Sequence, residues 1–147
     1  MPIQQITPNQ AKEILDQDPE AVYLDVRSIP EFLEGHAQGA INIPLLHLDE
    51  QTNQMLPNTD FSKISAAVLP KDKKLVVGCK AGGRSQRACE ILSGLGYQNL
   101  LNIMGGFGGG MNTVSGGYQK GWKDLGLPVT RENPKGASYE SLVIKAK

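Results

Sequence analysis

Leu75-Val76-Val77-Gly78-Cys79-Lys80-Ala81-Gly82-Gly83-Arg84-Ser85-Gln86-Arg87-Ala88 is the stretch on which the reading of this chain turns. A short apolar run ends at a cysteine. A glycine-rich turn carrying two cations follows, and then a helix-like stretch over residues 85–92. Strand, cysteine, tight loop and helix form a layout in which backbone N–H groups and the positive end of a helix dipole converge on a sulfur. Lys80 and Arg84 add full positive charges. All of these favour thiolate over thiol, and the thiolate is the nucleophile. The competing reading is a buried structural cysteine, the common fate of a free Cys. The flanking glycines and cations argue against it.

Outward from the loop, strands are expected over residues 21–26, 40–44, 74–77 and 100–103, each a short apolar run bounded by turn residues. Helices are expected between them. One opens at Thr7-Pro8, a good cap and first-turn pair, and ends at Asp18-Pro19. Others span 29–33, closed by Gly35; 61–69, capped by Asp60 with Ile64, Ala67 and Val68 on one face; 85–95; and 117–125. Residues 45–49 suggest one helical turn and 50–59 a loop. The tail, 131–147, is polar until Leu142-Val143-Ile144 and reads as a docking strand or as disorder. Apolar strands alternating with helices mean an α/β fold with a mostly parallel sheet. In such sheets sites form at the carboxyl ends of strands, where Cys79 lies.

At 147 residues one domain is expected, with a core over about 6–130. Lys+Arg and Asp+Glu balance at 15 each, so no basic excess points to nucleic acid and no acidic run to a solvating tail. Two cysteines, Cys79 and Cys89, make no disulfide framework, and a reducing compartment fits them better. Met1-Pro2-Ile3-Gln4-Gln5 lacks the basic-then-apolar pattern of a leader. No run has the length of a membrane span. A cytoplasmic enzyme or module, acting on neither membrane nor nucleic acid, is the expectation. Oligomeric state is not legible in these features.

Three segments together resemble the rhodanese family. The first is Asp25-Val26-Arg27 through Glu31-Phe32, Gly35-His36 and Gly39-Ala40-Ile41-Asn42-Ile43-Pro44. The second is the Cys79 loop, similar to the pattern Cys-x-x-Gly-x-Arg-Ser. The third is Gly96-Tyr97, Gly105-Gly106, Trp122 and Leu127-Pro128-Val129. The resemblance implies a rhodanese-like α/β fold, a five-stranded parallel sheet flanked by helices on both faces. It also implies a sulfurtransferase that carries sulfane sulfur as a persulfide on the loop cysteine. The implied donor is thiosulfate or a protein persulfide; the implied acceptor is cyanide, a small thiol or a protein thiol. No cofactor is implied, and no spacing resembles a metal site.

On this reading Cys79 is catalytic, and Lys80, Ala81, Gly82, Gly83, Arg84 and Ser85 form the loop and anion cradle. Gly82 and Gly83 permit the dihedrals the cradle needs, and Lys80 and Arg84 attract a dianionic donor. Ser85 is expected to cap the following helix, with the sulfur also in reach. Asp25, Arg27, Glu31 and His36 are expected to be structural, with Arg27 paired to a carboxylate such as Glu31 and His36 hydrogen-bonded. Cys89 is expected to pack inside its helix, and Trp122 to be core or a pocket wall.

Two other functions use related sequences. Phosphatase or arsenate reductase activity is one alternative; cell-cycle dual-specificity phosphatases of rhodanese ancestry have five residues between the cysteine and the arginine. Here four residues separate Cys79 from Arg84, which suits one extra sulfur better than a bulky oxyanion. A non-catalytic binding module typically lacks the cysteine. The departure from the most compact members is residues 104–117, a long glycine-rich segment in which Gly105-Gly106 or Gly116-Gly117 matches the family pair. It either borders the site or is an inert insertion, and the tolerance of surface loops for insertions favours the inert reading. Its glycines lack the spacing of a nucleotide-binding loop.

Overall fold

Both faces of the central strands are buried, which is why their sequences run apolar without a polar stripe. The protein is described by a computed structural model over residues 3–147. Met1 and Pro2, the start of the stretch read for a leader, lie outside the described residues. In chain order the first half comprises β1 (Gln4–Ile6), α1 (Pro8–Gln17), β2 (Val22–Asp25), α2 (Ile29–Glu34), β3 (His36–Ala37), β4 (Ile41–Asn42), β5 (Leu46–Asp49) and β6 (Gln54–Pro57). The second half comprises α3 (Phe61–Val68), β7 (Leu75–Gly78), α4 (Gly83–Gly94), β8 (Leu100–Ile103), β9 (Gly110–Met111), β10 (Tyr118–Gln119), β11 (Val129–Thr130) and α5 (Tyr139–Ala146).

The main sheet has five strands in the order β1-β8-β7-β2-β4, every neighbouring pair parallel. Residues along β7 alternate between two cores. Leu75 and Val77 point with Leu24 and Leu100 to the face covered by α3, α4 and α5. Val76 points with Tyr23, Leu101 and Ile103 to the face covered by α1, α2 and Trp122. Each fully buried Leu or Val contributes about 1.5–3 kcal/mol, so both faces are needed to hold so short a strand. The sheet thus has helices on both faces, as expected. β7 sits between two parallel partners, and its carboxyl end delivers Cys79 to the sheet edge above α4.

Several local expectations are corrected. The fifth strand, to which no stretch was assigned, is β1. Its three residues lack a period, and pairing with β8 alone makes them a strand. Residues 45–59 hold neither a helical turn nor a plain loop but the antiparallel pair β5–β6, in which Leu46 faces Pro57. Of the face expected on α3, Ile64 is buried and Val68 packs on the core but Ala67 is exposed; Phe61 and Ser65 are buried with Ile64. No helix forms over 117–125. Gly116 and Gly117 both have φ of +78°, outside the helical region, and close the turn between β9 and β10. Gly121 lies so close to Phe107 that an added Cβ would fall 2.5 Å from its carbonyl oxygen. The tail is neither strand nor disorder but α5. Ser138 accepts the Ser141 N–H at its start. Tyr139, Leu142, Val143 and Ala146, at helical spacing, pack on the core shared with α3.

Candidate active site

The β7 strand ends at Gly78, where a side chain is excluded: an added Cβ would lie 2.7 Å from the Tyr23 hydroxyl. Cys79 then turns its sulfur toward α4 and is buried, at 2% exposure. The chain re-enters a helix through Gly82, whose φ of +123° only glycine adopts without strain. α4 begins at Gly83, two residues earlier than the sequence suggests, so Ser85 is not its cap. Ser85 instead stands in the first turn, where its hydroxyl donates toward the Gly82 carbonyl at 3.0 Å and the Asn102 side-chain oxygen at 2.5 Å.

Two groups reach the sulfur. The Gly82 N–H donates to Sγ at 3.0 Å, and the Cys79 thiol donates to the Ser85 hydroxyl oxygen at 3.4 Å. The first N–H groups of α4 add donors without partners inside the helix, as at any helix start. Lys80 is exposed and makes no ion pair among the described residues. It lines a cleft of about 830 Å³ together with Arg27, Glu31, Phe107 and Lys123. Ala81, Gly82 and Gly83 line a second cavity, of about 450 Å³. The loop is therefore a wall of both.

The supporting charges are arranged differently from the sequence reading. Arg27 does not pair with Glu31. It donates to both carboxylate oxygens of Asp25, at 2.7 and 3.0 Å, and to the Gly35 carbonyl. Its guanidinium lies 4.3 Å from the centre of the Phe107 ring. Spaced i and i+2 around a strand end, Asp25 and Arg27 fold onto one another and satisfy two buried charges locally. Burial would lower the Arg27 pKa, but the bonds to Asp25 outweigh it and raise it. Glu31 instead holds Arg84, with contacts of 2.7 and 3.1 Å to the two guanidinium nitrogens. It also accepts from the Ser28 N–H and hydroxyl at the start of α2. Burial would push the Glu31 carboxyl up, but the bonds from Arg84 and Ser28 prevail and hold it at about 2. Arg84 is thus committed to Glu31 rather than free for a donor, and its own pKa rises chiefly through that hydrogen bond.

His36 is buried, donates from Nδ1 to the Phe32 carbonyl at 2.7 Å and stacks on the Phe32 ring at 3.6 Å. That geometry matches a structural histidine. Trp122 is core, edge-on to Tyr23, and donates to the Pro128 carbonyl. Cys89 is fully buried within α4. Its thiol is pushed up to about 12, first by burial and then by the neighbouring Cys79.

The glycine-rich segment is not inert. The Phe107 and Gly108 N–H groups donate to the carbonyls of Cys79 and Lys80 at 2.7 and 2.8 Å. An added Cβ at Gly106 would fall 2.2 Å from the Cys79 oxygen, and one at Gly110 2.4 Å from the Ala81 oxygen. Backbone lies directly on backbone, which only glycine allows. Gly105-Gly106 is therefore the pair at the site, and the Trp122 N–H closes back onto the Gly106 carbonyl. Sequence reasoning also missed Asn42, whose Nδ2 ties the carbonyls of Asp25 and Arg27, and the Gln5–Asn102 contact beside Ser85. A polar residue interrupting the apolar run of β8 was the available signal for Asn102; Gln5 carried none.

The chain is similar to known proteins over most of its length. The model of the Rhodanese-like domain matches residues 7–112. Thiosulfate sulfurtransferase 16, chloroplastic, of Arabidopsis thaliana is 38% identical over 107 residues, 73% of this chain and 78% of that protein. Protein HIGH ARSENIC CONTENT 1, mitochondrial, of the same plant is 41% identical over 85 residues, 58% of this chain. The aligned part is 49% of that relative's length. The crystal structure of Rv0390 from M. tuberculosis superposes with a TM-score of 0.72 at 25% identity, covering 90% of this chain and all of that one.

Proposed function

The chain belongs to the rhodanese family, and from that premise we propose that it is a sulfurtransferase carrying sulfane sulfur on Cys79, with thiosulfate or a protein persulfide as donor. The observation that carries this reading is the setting of the sulfur: a buried Sγ with the Gly82 N–H at 3.0 Å, at the start of α4. The Cys79 thiolate attacks the outer sulfur of thiosulfate. The bond between the two donor sulfurs breaks, sulfite departs with its electron pair, and Cys79 becomes an anionic persulfide. A nucleophilic acceptor (cyanide, a small thiol or a protein thiol) then takes the outer sulfur and returns the thiolate. Backbone donors of the loop hold the anionic sulfur. Lys80, exposed in the cleft, draws the dianionic donor toward it.

Phosphate-ester or arsenate chemistry is less well supported, because Arg84 directs both terminal nitrogens to Glu31 and a bulky oxyanion would have to break that pair. A purely binding role leaves the arrangement around Cys79 without a purpose. The test is thiosulfate:cyanide sulfurtransferase activity, read as thiocyanate, on the wild type and Cys79→Ala. Mass spectrometry of the thiosulfate-treated proteins runs beside it. Turnover and a gain of one sulfur, about 32 Da, are expected for the wild type alone. Neither turnover nor adduct from any sulfane donor would overturn the reading.

A further inference from the structure

Behind Cys79 lies a chain of side-chain hydrogen bonds that the reaction steps above do not use. The Gln5 Nε2 donates to the Gln86 Oε1 at 2.7 Å. The Asn102 Nδ2 donates to the Gln5 Oε1 at 2.8 Å. The Ser85 hydroxyl donates to the Asn102 Oδ1 at 2.5 Å, and the Cys79 thiol to the Ser85 oxygen at 3.4 Å. Asn102 and Ser85 are buried, at 4% and 0% exposure, whereas Gln5 and Gln86 are partly exposed. The chain runs from β1 through β8 and α4 to the sulfur, and all its bonds point one way. A hydroxyl has one proton. Ser85 shares it between Asn102 and the Gly82 carbonyl, so it meets Cys79 only as an acceptor, which suits a thiol.

A persulfide has no proton on the inner sulfur and a negative charge on the outer one. The Ser85 oxygen would then face sulfur lone pairs with nothing to accept. We infer that Asn102 and Gln5 are positioning residues: the amide chain reverses its direction when the Cys79 sulfur gives up its proton, first as the attacking thiolate and then as the persulfide, turning the Ser85 proton from Asn102 to the sulfur. After reversal the Asn102 Nδ2 donates to Ser85, the Gln5 Nε2 to Asn102 and the Gln86 Nε2 to Gln5. Each carboxamide holds a donor and an acceptor at its tip, so a half-turn of each exchanges the two and leaves every buried group paired in both states. A polar residue in the middle of β8 is thereby explained. A leucine there would satisfy the core but leave Ser85 only the Gly82 carbonyl, an acceptor that cannot become a donor.

This inference rests on the persulfide reading proposed above, so the test loads sulfur independently of turnover. Sodium tetrasulfide is applied to the wild type, with Cys79→Ala as control, and one added sulfur is confirmed by mass. In nitrogen-15-labelled protein the side-chain amide resonances of Asn102 and Gln5 are then recorded before and after loading, at about pH 6, below the ordinary thiol range. They are expected to move in the wild type and to stay in place in Ser85→Ala. The persulfide half-life gives a second measure. Asn102→Asp presents only acceptors and pins the Ser85 proton, so it should shorten the half-life roughly tenfold, about the worth of one hydrogen bond to a charged group. Ser85→Ala should shorten it by a similar factor, and the double variant no further than Ser85→Ala. Amide resonances that do not move in the loaded wild type would overturn the inference. So would additive half-life effects, which mark simple charge repulsion by Asp. Loading by tetrasulfide without thiosulfate:cyanide turnover would instead remove thiosulfate as donor and leave the inference standing. No added sulfur on Cys79 would remove both.

Discussion

Cys79 and Cys89 lie ten residues apart on either side of the start of α4, and both are buried, at 2% and 0% exposure. What separates them is what each sulfur meets. Cys79 faces the Gly82 N–H and the Ser85 hydroxyl at the open end of the helix. Cys89 faces the apolar core between α4 and the sheet, and burial drives its thiol up to about 12. Loss of contact with solvent is common to both, so burial by itself does not tell the two apart. Burial without donors does, because nothing there replaces the water that would solvate a thiolate.

This contrast can be broken by mutation. Cys79→Ala should abolish sulfur transfer, by about a thousandfold or more, while Cys89→Ala stays within about twofold of wild type. Equal losses would erase the distinction. Alkylation sharpens it: iodoacetamide near pH 8 should place one label, on Cys79, in the native protein, and a second, on Cys89, only after unfolding. Rapid labelling of Cys89 in the folded state would mean that α4 opens locally.

The setting of Cys79 depends on the glycines that pin its loop. Gly106→Ala drives a methyl group into the Cys79 carbonyl at a φ of +48°, so it should cost about 2–3 kcal/mol of stability. It should also lower kcat/KM by more than tenfold. Thermal unfolding and thiocyanate kinetics measure the two effects. Gly94→Ala, where an added Cβ meets nothing within 4 Å, is the control and should change neither appreciably.

A smaller effect is expected at Glu31. Its carboxyl sits at about 2 when folded, against an ordinary 4.5, so its contribution to stability is present above pH 4.5 and is lost as the pH falls through 2. For a partly exposed pair that contribution is about 1–3 kcal/mol. Glu31→Gln should be destabilised by that amount at pH 7 and converge on the wild type near pH 2, as read from urea unfolding at each pH. Smallest of all, Cys89→Ala should cost about 1 kcal/mol through the cavity it leaves.

The turn at Gly82 was legible because its cause is local, whereas Gly83 takes no positive φ, Arg84 is held by Glu31 and Ser85 does not cap α4. A glycine at the one position with φ of +123°, a cysteine after an apolar strand and cations beside it are all contained within a few residues. The strands of the central sheet were legible for the same reason, except β1, whose three residues are a strand only because β8 lies alongside. The segment 117–125 failed because Gly117 closes a turn at a φ of +78° and Gly121 answers to the backbone of Phe107 and Gly109, not to its own neighbours. The tail failed because α5 is fastened by a core it does not itself contain.

By itself, then, the sequence determined the α/β alternation and the turn that follows Cys79, because dihedral preference and side-chain period act over one or two turns of chain. Tertiary structure alone decided which charge answers which. Glu31 takes Arg84 from 53 residues away, leaving Arg27 to Asp25. Asn102 takes Gln5 from 97 residues away, and a glycine-rich run becomes the clamp on the loop. A buried charge or amide must find a partner, but several stand within its chemical type, and only the closed fold selects the one within reach.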